Sequence, residues 1–228
     1  MSDPRIIVAL DLPSRDEARA LVDTLGDAVE FYKVGLELYI ASGGTILADL
    51  QALGKRIFLD LKFHDIGETV KRATAAAAQS GASFLTVHAV PQVVRAAVEG
   101  RAGSPLKILA VTVLTSLDDR DLHEMGYRHG VRDAVELRAR QAIDGGADGL
   151  VCSPLEVAHV REVAGPWAIL ATPGVRPAGA ETGDQKRIAT PEQALADGAT
   201  HLVIGRPITR AAHPRAAALA IVSALRPT

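Results

Sequence analysis

Short, nearly continuous apolar segments alternate with longer amphipathic segments along the whole chain. Apolar runs of this kind are typical of strands buried on both faces, as in a parallel sheet. The segments between them have helical character, so the pattern indicates a repeated strand–helix unit. We predict eight strands, at residues 6–11, 31–35, 57–61, 84–88, 108–114, 149–152, 168–172 and 201–204.

Two of the intervening segments carry clear helix-start signals. Ser14 followed by Glu17 predicts a capping box, in which each residue satisfies a free backbone N–H of the first helical turn. Thr190 followed by Pro191 and Gln193 predicts an N-cap, a proline in the first turn and a second capping box.

A glycine–alanine pair precedes three of the predicted strands, beginning at Gly81, Gly146 and Gly198. Each pair predicts a helix that ends at a glycine, followed by a short turn and a strand. Eight strand–helix units in one chain predict a single (β/α)8 TIM barrel over residues 1–228. The pattern leaves a doubly wound open sheet as the alternative.

Composition narrows the class of protein further. The chain has 228 residues, 48% of them hydrophobic, and a net charge of −2, so we expect no bulk attraction to nucleic acid or to acidic lipid. No apolar run approaches the ~18 residues that span a bilayer, and residues 1–5 do not resemble a signal peptide. Cys152 is the single cysteine, which favours a reducing, cytoplasmic setting. No cysteine–histidine cluster has metal-binding spacing, so no metal is expected.

The third predicted strand carries the most informative motif, Asp60-Leu61-Lys62-Phe63-His64-Asp65. Alternate side chains of a strand share a face, so Asp60 and Lys62 are expected to point the same way, into the barrel. Buried charge is costly unless it is paired, and such clusters concentrate at functional sites. A structural ion pair at the barrel mouth is the alternative interpretation.

Other strand ends also carry polar groups. Active sites of (β/α)8 barrels lie at the carboxyl ends of the strands, so these residues are expected to converge. Singly, each has an ordinary explanation as a turn residue, a snorkelling lysine or a solvated charge. The candidates are Asp11, Lys33, Thr115, Arg176, Gly205 and Arg206.

The last two strands predict a phosphate site. Gly205 lets a backbone N–H approach an anion closely, and Arg206 supplies forked donors. Barrels commonly bind phosphate after strands seven and eight, and Gly174 lies in the preceding loop. The segment 173–186 is long for a loop and is expected to close over a ligand.

Seven stretches together resemble orotidine 5'-phosphate decarboxylases nearly end to end: 8–13, 32–35, 60–66, 112–116, 173–177, 183–187 and 203–209. The resemblance implies a cofactor-free reaction in which orotidine 5'-phosphate loses CO2 and gives uridine 5'-phosphate. It also implies a TIM barrel and a homodimer with shared active sites.

The resemblance further implies residue roles. Lys62 is similar to the proton donor, and Asp60 to the carboxylate beside the departing CO2. Asp65 is similar to a residue that reaches the partner subunit's site, and Thr69 accompanies it to the ribose.

The remaining implied roles concern substrate binding. Asp11 and Lys33 resemble the ribose-hydroxyl and charge-network positions, and Thr115 resembles the pyrimidine contact. The phosphate grip is implied for Arg176, Gln185, Gly205 and Arg206.

Two alternatives remain open at this stage. A sibling Mg2+-dependent decarboxylase or aldolase acting on a ketose phosphate shares the Asp-Lys-Asp motif. The resemblance implies that these related enzymes have a glutamate metal ligand at the position of Lys33, so a lysine there disfavours a Mg2+ site. A non-catalytic nucleotide-binding barrel needs the phosphate loop but not the charges of the third strand.

Overall fold

Eight parallel strands close into a barrel in this computed structural model, which describes residues 2–177 and 189–225. The strands follow one another around the barrel in chain order, and the eighth pairs with the first. The predicted (β/α)8 barrel is therefore confirmed, and the open-sheet alternative is wrong. The strands are β1 (Ile6–Ala9), β2 (Phe31–Gly35), β3 (Arg56–Phe63), β4 (Phe84–His88), β5 (Lys107–Val111), β6 (Gly149–Val151), β7 (Ile169–Thr172) and β8 (His201–Ile204).

Helices cover the outside of the barrel, and the predicted N-caps at Ser14 and Thr190 are confirmed. The full capping box predicted at Ser14 is not formed, because the Glu17 carboxylate accepts from the Ser14 hydroxyl instead of the Ser14 N–H. Ser14 accepts from the N–H of Glu17, and Thr190 accepts from that of Gln193. No described helix combines the length and apolarity needed to cross a membrane. The helices are α1 (Arg15–Leu25), α2 (Leu36–Ala41), α3 (Ile46–Ala52), α4 (Gly67–Gln79), α5 (Pro91–Gly100), α6 (Asp119–Glu124), α7 (Val131–Asp144), α8 (Val157–Ala164), α9 (Pro191–Ala196), α10 (Arg206–Thr209) and α11 (Pro214–Ala224).

The three predicted glycine turns are present. Gly81, Gly146 and Gly198 follow α4, α7 and α9 and have φ of +68°, +89° and +107°. These left-handed angles reverse the chain directly before β4, β6 and β8. The same type of glycine turn therefore connects a helix to the following strand at β4, β6 and β8.

Strand ends differ from the predicted ones where pairing is lost on one side. β1 ends at Ala9 rather than at residue 11, because its pairing with β8 stops at Val8. β5 ends at Val111 rather than at residue 114, because its pairing with β4 stops there. Beyond it, Thr112 remains bonded to β6, through its N–H and its hydroxyl to the Val151 carbonyl.

Two apolar shells make up the core. The larger lies between strands and helices, and the smaller fills the barrel interior. Strand alternation makes β2, β3 and β4 each present a phenylalanine to the interior, followed two residues later by a polar side chain. These pairs are Phe31 and Lys33, Phe58 and Asp60, and Phe84 and Thr86.

The amino-terminal end of the barrel is closed by stacked rings. Phe31 and Phe84 meet edge to face at 5.0 Å, and His201 packs edge-on against both, at 6.0 and 5.0 Å. The Arg56 guanidinium lies 4.1 Å from the Phe31 ring centroid. Burial, with help from Arg56, lowers the pKa of His201 from 6.5 to about 4. His201 is therefore neutral at physiological pH.

We predict that His201 makes the fold acid-sensitive. The folded state resists protonating this ring, so the free energy of unfolding falls as pH drops from about 6.5 towards 4, by up to about 3 kcal/mol. The His201→Gln variant should lose less unfolding free energy than wild type between about pH 7 and about pH 5, as measured by urea unfolding.

The exposed histidine His129 offers a control, and His129→Gln should keep the wild-type pH dependence. An unchanged pH dependence in His201→Gln would contradict the assignment.

Candidate active site

A cavity of about 700 Å3 opens at the carboxyl ends of the strands. It gathers most of the residues predicted from the sequence. Those that line it are Asp11, Lys33, Asp60, Lys62, Thr115, Arg176, Gly205 and Arg206. Gln185 lies outside the described residues, as does most of the predicted loop 173–186.

A chain of alternating charges occupies the β1–β3 side of the cavity. Lys33 Nζ lies 2.9 Å from Asp11 Oδ1 and 3.4 Å from Asp60 Oδ2. Lys62 Nζ lies 2.9 Å from Asp60 Oδ1, so one carboxylate bridges two ammonium groups. The Asp60 and Lys33 side chains are each only 11% exposed. This is the arrangement that makes burial of charge tolerable.

The pKa shifts show that pairing prevails over burial at this site. Burial alone would lower the pKa of Lys33, but the Asp60 and Asp11 carboxylates raise it above its usual value. Burial alone would raise the pKa of Asp60, but Lys33 and Lys62 hold it below the usual range. Lys33 and Asp60 are therefore both ionised at neutral pH.

Gly35 leaves room for this network. A Cβ atom there would lie 3.1 Å from Lys33 Nζ and 3.2 Å from Asp11 Oδ1, closer than ordinary packing allows. A side chain at this position would push the ammonium and the carboxylate from their present places.

The backbone at Lys62 departs from the regular strand that the sequence predicted. Its φ is +49°, the one positive φ at a non-glycine residue in 2–177 and 189–225. The register of β3 against β4 shifts between Leu59 and Phe63. Asp60 and Lys62 do meet, as expected, but regular strand alternation is not what brings them together.

Three arginines line the β7–β8 side of the mouth. Arg176 follows β7, and Arg206 and Arg210 follow β8. In a closed eight-stranded barrel β7 lies diametrically opposite β3, so Arg176 lies across the cavity from Asp60 and Lys62. The β8 arginines lie nearer to Asp11, because β8 pairs with β1. Guanidinium groups bind phosphate in a forked, charge-assisted geometry.

An apolar wall lies on the β5–β6 side of the cavity, between the two charged regions. It is formed by Val111, Val113 and Val151, and Thr115 also lines the cavity. The cavity therefore offers an apolar surface together with a carboxylate–ammonium network and a cationic rim. A ligand with a planar ring and an anionic tail matches this distribution.

Asp65 and Thr69 do not line this cavity. They are exposed and line a neighbouring depression, which also contains Lys62. Asp65 Oδ1 accepts the N–H of Ile66 at 2.6 Å, the N–H that follows it in the chain. Within one chain, these two predicted residues therefore lie outside the group formed by the other candidates.

Two residues at the site were missed from the sequence. Thr86 bonds to both Asp60 and Lys62, and Arg210 lines the cavity. The spacing Phe-x-Lys, Phe-x-Asp, Phe-x-Thr in three successive strands is a signal that would have found Thr86. Arg210 lies four residues beyond Arg206, one helical turn on, and its position gives a weaker signal.

Residues 2–177 and 189–225 hold no group of three or more His, Cys, Asp or Glu side chains placed to bind a metal ion. Of the carboxylates that line the cavity, Asp11 and Asp60 are bonded to Lys33.

Comparison with known proteins points to one family. A model described as the orotidine 5'-phosphate decarboxylase / HUMPS family matches residues 4–221. Among curated proteins, an orotidine 5'-phosphate decarboxylase of Rhodopseudomonas palustris (strain HaA2) is 59% identical over 219 residues, covering 96% of this chain and 93% of the relative. One from Caulobacter vibrioides (strain NA1000 / CB15N) is 58% identical over 226 residues, covering 97% of each.

Solved structures agree with this result. The crystal structure of orotidine 5'-phosphate decarboxylase from Lactobacillus acidophilus superposes with a TM-score of 0.87 at 39% identity, covering 99% of this chain and 100% of that one. An uncharacterized conserved protein from Geobacillus kaustophilus has a TM-score of 0.85 at 36% identity.

We predict that Lys33 sets the ionisation of Asp60. In Lys33→Met the carboxylate stays buried but loses one of its two cations, so the pKa of Asp60 should rise from its lowered value towards or above the usual ~3.9. Carbon NMR of the labelled aspartate carboxyls during a pH titration measures this.

Lys55→Met is the matched control, because the ammonium of Lys55 binds the backbone carbonyls of Gly26 and Val29 instead. An Asp60 pKa that stays lowered in Lys33→Met would show that Lys62 alone suffices.

Proposed function

This chain belongs to the orotidine 5'-phosphate decarboxylase family, and we propose that it converts orotidine 5'-phosphate into uridine 5'-phosphate and CO2 in pyrimidine nucleotide synthesis. The observation that carries the proposal is the buried Asp60 carboxylate between Lys33 and Lys62, facing an arginine-lined rim across the barrel mouth. The whole chain is proposed to act as one catalytic barrel.

The proposed reaction breaks one carbon–carbon bond and makes one carbon–hydrogen bond. The bond between the pyrimidine ring and its carboxylate breaks, CO2 leaves, and the electron pair stays on the ring carbon. The Lys62 ammonium donates a proton to that carbon, and lysine regains a proton from solvent. The ring carbanion is poorly delocalised, so a fixed cation beside it lowers the barrier. We propose that no cofactor is needed.

Asp60 and Lys33 support this step. Asp60 holds the Lys62 ammonium at 2.9 Å, and Lys33 helps to keep Asp60 ionised. We place Asp60 beside the departing carboxylate, and Asp11 with Lys33 beside the ribose hydroxyls. The chain of charges is then continuous from the reacting carbon to the sugar.

Electrostatic attraction alone is too weak for this reaction. A unit charge pair at ~4 Å with an effective dielectric of ~20 contributes about 4 kcal/mol. At ~1.4 kcal/mol per tenfold, this is about three powers of ten in rate. The remainder must come from positioning, exclusion of water and binding of the non-reacting phosphate.

The cationic rim is the proposed phosphate grip. Arg176, Gly205 and Arg206 line the same cavity as Lys62, after strands that lie four and three places around the barrel from β3. Gln185 is proposed to join them, on the basis of the family pattern. Thr115, beside the apolar wall, is the proposed pyrimidine contact.

A homodimer with shared sites accounts for Asp65 and Thr69. Both are exposed and lie outside the cavity of their own chain, although the family pattern includes them in the site. Ile66 between them is 70% exposed, as expected of a residue that packs against another subunit. We propose that each subunit donates Asp65 and Thr69 to the site of the other.

The Mg2+-dependent sibling reaction fits this site less well. Its metal would need free carboxylates, but Asp11 and Asp60 are bonded to Lys33. An absorbance assay with orotidine 5'-phosphate, run with and without EDTA, separates the two: loss of activity on adding EDTA would favour the Mg2+-dependent reaction. Turnover that is indifferent to the chelator supports the decarboxylase.

We predict that the purified protein consumes orotidine 5'-phosphate, followed by absorbance. Lys62→Ala should lower kcat by at least about a thousandfold, since both the cation and the proton donor are lost. Its affinity for uridine 5'-phosphate, measured by calorimetry, should stay measurable because the phosphate grip is intact.

Lys71→Ala on the surface of α4 is the matched control and should retain wild-type turnover. Near-normal turnover in Lys62→Ala would refute the proton-donor role. An inactive wild-type protein would refute the proposed function.

Shared sites predict complementation between two inactive variants. Lys62→Ala and Asp65→Asn each disable both sites of their own homodimer. A mixed dimer carries both changes in one site and leaves the other site intact. After unfolding and refolding an equal mixture, about a quarter of wild-type activity should return.

Each variant refolded alone is the control. If the mixture is no more active than the controls, Asp65 does not serve the site of the partner subunit.

A further inference from the structure

We propose that Thr86 is a positioning residue that holds Lys62 in its reactive geometry. This inference rests on the proposed function, since it assigns a role within that same site. Thr86 lies on β4, is fully buried, and points into the barrel directly beside Asp60.

One hydroxyl group ties the backbone of Lys62 to the carboxylate that its own side chain binds. Thr86 Oγ1 accepts the backbone N–H of Lys62 at 2.9 Å and donates to Asp60 Oδ1 at 2.9 Å. The ammonium of Lys62 also reaches Asp60 Oδ1, at 2.9 Å. Both ends of the lysine are thus fixed to one small group of atoms.

This connection matters because the backbone of Lys62 is strained. A left-handed φ of +49° is unfavourable for a non-glycine residue relative to an extended conformation. The strain falls where the register of β3 against β4 shifts, so a regular ladder does not impose the conformation. The hydrogen bond from the Lys62 N–H to the Thr86 hydroxyl stabilises the left-handed conformation locally.

Only a hydroxyl meets both requirements in this space. It must accept from an N–H and donate to a carboxylate through a single atom, which valine of nearly the same shape cannot do. Without it, Asp60 loses a hydrogen bond and the Lys62 N–H is left unpaired beside a buried carboxylate. The backbone is then free to return to an extended conformation and carry the ammonium out of place.

The predicted defect is in turnover rather than in binding. The proposed phosphate grip lies on β7 and β8, across the barrel from Thr86. A displaced ammonium therefore slows proton donation while leaving the nucleotide held. This separation distinguishes positioning from general loss of stability, which would affect both.

The test compares Thr86→Val with Thr86→Ser. In Thr86→Val we expect kcat for orotidine 5'-phosphate to fall about 100-fold, as for loss of a hydrogen bond to a charged group. KM and the dissociation constant of uridine 5'-phosphate should change less than about threefold. Thr86→Ser, which keeps the hydroxyl, should stay within about tenfold of wild-type kcat.

Thr172→Val is the matched control. Thr172 is also a fully buried strand threonine, on β7, and within the described part of the chain its hydroxyl has no hydrogen-bond partner. It should retain wild-type kcat. If Thr86→Val does not fold, Thr86→Ala against Thr86→Ser gives the same contrast, because these two differ only in the hydroxyl.

A fall in kcat of less than tenfold in Thr86→Val would overturn the proposal. So would an equal fall in Thr86→Ser or in Thr172→Val. Crystal structures give a readout that does not depend on the substrate: in Thr86→Val, φ of residue 62 should leave the left-handed region or Nζ should separate from Asp60. If wild type fails to decarboxylate the nucleotide, the proposed function fails, and the crystal structures still decide the role of Thr86.

Discussion

One carboxylate held between two ammonium groups governs the architecture of this protein. Asp60 is almost fully buried, and an isolated charge there would destabilise the barrel. Lys33 and Lys62 offset that cost, and each lysine is in turn stabilised by Asp60. The three residues are therefore interdependent. Removal of Asp60 leaves two ammonium groups without their shared carboxylate, and removal of either lysine takes one of two cations from a buried carboxylate.

The barrel supplies the spacing that this interaction needs. Strand alternation places an aromatic ring and then a polar group on the inner face of β2, β3 and β4. The rings fill the lower interior, and the polar groups meet one level above them, at the base of the cavity. The charged layer thus lies directly on closely packed aromatic rings, and this packing favours a rigid network.

The sequence predicted what local patterns determine. The eight strands, the capping residues and the glycine turns depend on neighbouring residues, and they were confirmed. The left-handed backbone at Lys62 could not be predicted, because it coincides with a register shift between β3 and β4 that no local pattern reveals. Thr86 was missed because its two bonds cross from β4 to β3. The role of Asp65 stays a prediction, since it depends on a second chain.

The stacked rings at the amino-terminal end of the barrel have a kinetic consequence. Phe31, Phe84 and His201 fill the barrel axis, with the Arg56 guanidinium packed on the Phe31 ring. Within the part of the chain that the structure describes, these side chains close the end of the barrel below the cavity. Under the proposed reaction, the CO2 molecule released at the base of the cavity has to escape past the bound nucleotide. It stays for a time beside the carbon it has left, where recombination competes with trapping. How closely Lys62 is held beside the carbanion then determines whether proton donation or recombination with CO2 is faster.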